Sequence, residues 1–321
     1  MSDINWEKFY TTLKPPSNVD QVRHRINDFY LLHKDRKIAV ITSGGTTVPM
    51  EHNTVRFVDN FSAGTRGASS VEYFVEQGYA VLFVYRNNSI RPYIRNFSGA
   101  TFLDCLQVSA DNPDTISVKP EVVPKLRPIL DRYARVKRDS LLLSVEFTTL
   151  AEYLWLLRTV CESLQDGGNR VLLYLAAAVA DFYIPADQMP EHKMQSGDGP
   201  PVISLQLVPK MLSPLTSVWS PRAFVVSFKL ETDPNILVKK ARAALDKYHH
   251  KLVIGNLLHT RKHQVILVSA EAEVPITLSE EDKASGVEIE KYLVQEVTRR
   301  HEAFRWRGDG EISGIGSDTP S

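Results

Sequence analysis

Short apolar runs that end in small or polar residues recur along the chain, and most are followed by a stretch with helical spacing. KIAVIT at 37–42 has strand character, and GTRGASSVEYFVEQG at 64–78 places Val71, Phe74 and Val75 on one helical face. YAVLFVY at 79–85 is the next strand. LLLSVEF at 141–147 is a further one, leading into the helical TTLAEYLWLLRTVCESL. VLLYLAAAVADFY at 171–183 starts as a strand and breaks. RAFVVSFKLETD at 222–233 opens as a strand, NILVKKARAALDKY at 235–248 is a helix, and KLVIGN at 251–256 and QVILVS at 264–269 are strands again. The alternation predicts an α/β fold with an open, mostly parallel sheet and helices on both faces, a Rossmann-like three-layer sandwich. The polar segment 111–140 reads as an insertion with no strand of its own, helical from about Pro124. Residues 1–305 are expected to form a single α/β domain, and 306–321, rich in glycine, a tail without fixed structure.

Composition changes this picture little, but it narrows the partners. Lys+Arg and Asp+Glu number 38 each over 321 residues, so no global field favours nucleic acid or an acidic membrane. No apolar run is long enough for a membrane helix, and the first residues lack a signal peptide's apolar core. Cys105 and Cys161 make neither a disulfide framework nor a metal spacing, and a cytoplasmic location is expected.

Four strand ends carry small or amide residues: TSGGT, AAAVAD, SFKLETD and GN. In a parallel sheet these ends share one edge, where ligands bind. Gly44 and Gly45 suit close backbone approach to a ligand, and the run from Ser62 through Gly64 to Gly67 opens a helix whose unpaired N–H groups favour phosphate. Each half alone reads first as an ordinary turn and helix cap, and it is their meeting at one edge that points to a nucleotide. Asp181, where the strand that starts at Val171 breaks, suits a ribose hydroxyl or a magnesium-bound water. Lys193 lies in the long segment after it, where a lysine can close over phosphates. Phe228 and Asn256 are placed to receive a base, although Phe228 suits the core as well. The chain has no G-K-[ST] P-loop and no G-x-G-x-x-G after a strand. Tyr133 and Lys137 spell Y-x-x-x-K far from any strand end, which we read as chance, and His259 and His263 lack a third zinc ligand.

TSGGT, VRFVDNFSAGTRG, LAAAVADFY, PEHKMQS and SFKLETD, in that order, resemble the eukaryotic phosphopantothenate–cysteine ligases from about residue 37 to residue 300. The resemblance implies a ligase of coenzyme A synthesis that joins 4′-phosphopantothenate to cysteine through an acyl nucleotide, releasing pyrophosphate and then the nucleoside monophosphate. It implies ATP (or CTP, with ATP favoured) and Mg2+, and a homodimer whose site is shared across the interface, with the 50–60 segment as the arm. By the same resemblance Gly44, Ser62, Gly64 and Gly67 cradle the triphosphate, with Phe228 and Asn256 near the base and ribose. Asn60 holds the carboxylate or acyl nucleotide, Arg56 helps bind substrate, and Ala177, Ala178 and Asp181 line the pantothenate side. Lys193 steadies charge on the α-phosphate. The fold alone also permits an NADP-dependent oxidoreductase, for which Arg86-Asn87-Asn88 is suitably placed, and a non-catalytic nucleotide-binding adaptor is a third reading.

Overall fold

The computed structural model describes residues 5–97, 100–109, 112, 114–195, 197 and 199–312, with backbone only for 100 and 307–312. Helices α1 (Trp6–Thr12) and α2 (Val19–Leu32) precede β1 (Ile38–Ser43). The short pair β2 (Thr47–Pro49) and β3 (Phe57–Asp59) follows, then α3 (Thr65–Glu76) and β4 (Ala80–Arg86). A peripheral segment carries α4 (Ala100–Leu103), β5 (Leu106–Val108), β6 (Ile116–Val118) and α5 (Val123–Arg138). The main sheet resumes with β7 (Leu142–Phe147), α6 (Leu150–Ser163) and β8 (Val171–Leu175). Beyond β9 (Phe182–Tyr183), β10 (Gln206–Leu207) and α7 (Leu212–Pro214) come β11 (Phe224–Glu231), α8 (Pro234–Tyr248) and β12 (Leu252–Leu257). The described chain closes with β13 (Gln264–Val268), β14 (Glu273–Thr277), α9 (Glu280–Ala284) and α10 (Ile289–Ile312).

Eight strands form one sheet in the order β14-β13-β12-β11-β8-β1-β4-β7. The six from β12 to β7 are parallel, and β13 and β14 add an antiparallel edge. Successive side chains of a strand face opposite sides, so the two faces draw on alternate residues. Ile38 and Val40 pack with α2 and α6, whereas Ala39 and Ile41 pack with α3 and α10. Fully burying each such large aliphatic chain stabilises the fold by about 1.5–3 kcal/mol, which is why both faces need helices. The chain runs from β1 outward to β4 and β7, then crosses back to β8 on the other side. That reversal opens a crevice at the carboxyl ends of β1 and β8.

The Rossmann-like expectation holds, with three differences in detail. The 111–140 segment does contain a strand, because β6 finds its partner outside the segment: Ile116 pairs with Val108 and Val118 with Leu106. Helix α5 then begins at Val123, close to the expected start. Helix α10 runs through Ile312, so 306–312 is helical where a tail was expected, since backbone hydrogen bonding continues the helix without needing burial. Residues 313–321 lie outside the described residues.

Candidate functional site

The end of β1 and the start of α3 are packed so closely that only glycine fits at three points. A Cβ on Gly67 would lie 2.4 Å from the Ser43 Cβ, so this glycine brings the helix against the strand end. Gly44 and Gly64 have left-handed φ of +84° and +81°, and a Cβ on either would crowd Ser89. The Ser43 hydroxyl donates to the Gly64 carbonyl at 3.0 Å and fixes the turn. Helix α3 has no side-chain cap and no acidic residue in its first turn. Its leading N–H groups and positive dipole end therefore face the crevice unclaimed by the chain, which suits an anion. Beside them the Ser89 Oγ is buried and unpaired. Such groups cost about 1–3 kcal/mol each if left unsatisfied, so the cradle fits a polar ligand. The Oδ1 of Asn256 on β12 is buried and unpaired too, but Asn256 lines a separate small cavity with Leu237, Gly255 and Ile266 rather than the cradle.

Between the two halves of this cradle the chain makes the β2–β3 hairpin. The Asn60 N–H donates to the Thr46 carbonyl at 3.1 Å, and the Asn60 carbonyl sits where a Gly45 Cβ would be, 1.6 Å away. Asn60 is thereby fixed at the mouth of the cradle, and its side-chain amide has no partner among the described residues. Arg56 is occupied differently. Its guanidinium pairs with Glu51 at 3.1 Å and donates to the Met194 carbonyl at 3.0 Å. The Glu51 side chain is fully buried. Burial alone would raise its pKa, but backbone N–H groups of Arg56 and Val55 and the Arg56 charge outweigh this and hold the carboxyl below its ordinary value. His52 and Asn53 also donate backbone bonds to Pro190 and Glu191. Hairpin and 186–195 segment are latched together, and Lys193, exposed, precedes the Met194 whose carbonyl Arg56 holds.

The AAAVA segment after β8 is stitched to the other side of the cradle. Ala177 N–H donates to Thr42 Oγ1 at 3.1 Å, Ala178 N–H to the Gly44 carbonyl at 2.8 Å, and Ala180 N–H to Thr46 Oγ1 at 3.0 Å. The amides of Ala177 and Ala178 are thus already used, and what these residues offer a ligand is small side chains. Asp181 pairs with Lys210 at the rim, a partner that no local pattern in the sequence indicates. Ala177, Asp181 and Phe228 line one cavity of about 500 Å³, with Lys210 on its edge. The Phe228 ring packs edge-on against Tyr174 at 4.8 Å, with the Arg66 guanidinium 5.9 Å from its centre. Gly44, Ser62, Gly64 and Gly67 share the cradle, then, and Ala177, Asp181 and Phe228 share the cavity beside it. Ser89 and Lys210 were not anticipated: each matters through partners distant in sequence.

A family model, the DNA/pantothenate metabolism flavoprotein C-terminal domain, matches residues 156–299. The phosphopantothenate–cysteine ligase of Mus musculus is 46% identical over 272 residues, 84% of this chain and 88% of its own length. That of Saccharomyces cerevisiae, CAB2, is 41% identical over 326 residues, covering 93% of this chain and 86% of its own. The chain belongs to the phosphopantothenate–cysteine ligase family. A solved structure of a Cab2 mutant in complex with phosphopantothenate-cysteine superposes with a TM-score of 0.86 at 40% identity, over 94% of this chain and 99% of that one. Membership in the ligases displaces the oxidoreductase reading, and the geometry agrees. Arg86 is held by Asp59 at 2.6 Å rather than offered to a ribose phosphate. Tyr133 and Lys137 are neighbours on α5, with the ammonium 5.7 Å from the ring centre. No described helix is long and apolar enough to cross a membrane.

Proposed function

We propose that the protein catalyses condensation of 4′-phosphopantothenate with cysteine, driven by ATP through an acyl-adenylate. The observation that carries this reading is the unclaimed first turn of α3, flanked by left-handed Gly44 and Gly64 and the unpaired Ser89 hydroxyl, with Asn60 fixed beside it. A carboxylate oxygen of phosphopantothenate attacks the α-phosphorus and pyrophosphate leaves. The cysteine amine then attacks the acyl carbon, loses its proton, and AMP leaves. Gly44, Ser62 and Gly64 cradle phosphates while Gly67 lets α3 approach. The Asn60 amide holds the reacting carboxylate, and Lys193 offsets charge at the α-phosphate. Phe228 and the unpaired Asn256 amide receive base and ribose, and Mg2+ enters with the phosphates. Among the described residues no cluster of three His, Cys, Asp or Glu side chains is placed to hold a metal by itself.

Two copies are proposed to share the site. The β2–β3 hairpin exposes Val55, Phe57, Val58 and Phe61, the last 85% accessible, which suits an apolar arm laid on a second subunit. In a dimer the arm would carry Asn60 and Arg56 towards the interface. The chemistry is tested by following pyrophosphate and AMP with ATP, Mg2+ and 4′-phosphopantothenate, with and without cysteine. AMP formed in step with product supports the adenylate; ADP and phosphate would replace it with an acyl phosphate.

A further inference from the structure

Helix α3 turns its first residues towards the cradle, and the groups that aim it lie outside the cradle. The start of α10 carries two carboxylates, Glu288 just before the helix and Glu290 in its first turn, where the helix dipole favours negative charge. Glu290 is 8% exposed and accepts from the Arg66 guanidinium at 3.0 Å. Arg66 follows Thr65 at the start of α3 and precedes Gly67. Its other terminal nitrogen donates to the Arg261 carbonyl, between β12 and β13. One side chain thus ties together α3, α10 and the turn after β12.

A second arginine repeats the arrangement. Arg95 lies in the segment after β4 that also carries Ser89, and its guanidinium binds both oxygens of Glu288. It also donates at 2.7 Å to Glu72, a buried carboxylate in the middle of α3. Glu72 accepts the Tyr93 N–H as well, at 2.7 Å, and Tyr93 holds a left-handed φ of +66°. A residue with a side chain keeps that φ only where its surroundings impose it. Nearer the cradle, the Ile90 N–H donates to the Ala63 carbonyl at 3.0 Å. Both α3 and the 88–96 segment are therefore gripped by the start of α10.

Buried ion pairs add little net stability, because desolvating both partners offsets their attraction. The apolar faces of the two helices already hold them together, through Val71 and Phe74 on α3 and Leu293, Val294 and Val297 on α10. What the ion pairs add is direction, since a helix start serves an anion only while its N–H groups stay aimed. We propose that Glu290 and Arg66 are a positioning pair for the nucleotide: the carboxylate on α10 holds the first turn of α3 against the phosphates and keeps the guanidinium from turning onto them. The inference rests on the nucleotide reading of the cradle. Both residues act through α3 rather than by touching a substrate.

The test compares the intact protein with Glu290→Gln and with Arg66→Met and Glu290→Leu combined. The double substitution removes a neutral pair, so it keeps the net charge and leaves no buried charge without its partner. Calorimetry measures binding of ATP with Mg2+ and, separately, of 4′-phosphopantothenate; turnover with cysteine and thermal unfolding are followed alongside. The double variant is expected to melt near the intact protein, to bind ATP at least about tenfold more weakly through lost aim, and to bind 4′-phosphopantothenate as before. Glu290→Gln, which keeps the arginine charge, is expected to weaken ATP too; if it does not fold, the double variant decides alone. Unchanged ATP affinity in the double variant overturns the proposal while turnover leaves the ligase reading intact. Equal weakening of both ligands overturns it as well, since the pair would then serve only the fold. ATP held as tightly or more tightly by folded Glu290→Gln would make Arg66 a direct phosphate ligand and overturn it too. An intact protein that binds ATP but does not turn over, with the variants weakened as expected, keeps the positioning pair and removes the ligase reading. Absence of ATP binding overturns both.

Discussion

Asn60 is held through its backbone and leaves its side-chain amide for chemistry. Asn60→Asp would keep the shape but put negative charge beside a carboxylate and an α-phosphate. We expect turnover to fall at least about a hundredfold, the range for losing one preorganised charge-stabilising donor, with thermal stability nearly unchanged; full activity would remove Asn60 from the mechanism. Gly44→Ala should behave differently, because it combines left-handed φ with a Cβ 2.6 Å from that of Arg86. A loss of at least about 1 kcal/mol of stability is expected from the backbone strain alone, read in a denaturant titration, together with weaker ATP binding. Both residues were legible in the sequence, since glycine after a strand and an amide between two small-residue clusters are local signals. Ser89 and Lys210 were not. Ser89 gains its meaning from Gly44 and Gly64, and Lys210 from Asp181, 29 residues away.

At the scale of elements, the site depends on a latch between the β2–β3 hairpin and the 186–195 segment. Its centre is the Glu51 carboxylate, whose folded pKa lies below the ordinary value. A depressed carboxylate contributes stability that is present above the unfolded pKa and is lost as pH falls through the folded one. The latch should therefore loosen only in acid, below the usual carboxylate range. Limited proteolysis across pH is expected to cut the 186–205 segment faster there, and Glu51→Gln should show that faster cutting already at neutral pH. Protection unchanged in the variant would assign the latch to the backbone bonds of His52 and Asn53 instead. The main strands and helices were readable because fully buried strands form continuous apolar runs and α3, α6 and α8 repeat at helical spacing. The β5–β6 hairpin was not, since three-residue strands in a polar stretch leave too short a pattern. α1 and α2 lie outside the alternating units, with α1 anchored by Trp6 edge-on to Trp219 at 5.4 Å, a contact that only the closed fold reveals.

Over the whole molecule, two buried neutral histidines make stability depend on pH in a different window. His301 accepts from Tyr79 at Nδ1 and donates to the Asn169 carbonyl at Nε2, both at 2.8 Å, so a second proton would set donor against donor unless the tyrosine hydroxyl turned away. Burial lowers the pKa of His301, and of His250, from 6.5 to about 4. The unfolded chain binds these protons first, so their contribution is complete above 6.5 and drains as pH falls towards 4. Each should cost on the order of 2 kcal/mol over that range. The melting temperature is expected to decline there, and His301→Gln should flatten part of the slope; an unchanged slope would place the titration elsewhere. Assembly is a separate matter: Phe61→Glu on the exposed arm is expected to shift a dimer towards monomer in sedimentation, with loss of activity if the site is shared. The approach of Gly45 to the Asn60 backbone bears on mutational surveys. The Asn60 carbonyl occupies the space of a Gly45 side chain, and every residue at 60 brings that carbonyl, so position 45 is confined to glycine whatever stands at 60, while position 60 is constrained by its own amide. A tolerance map would score both as invariant, although position 45 has no side chain to offer a ligand, and counting intolerant positions would overstate how many residues take part in the chemistry.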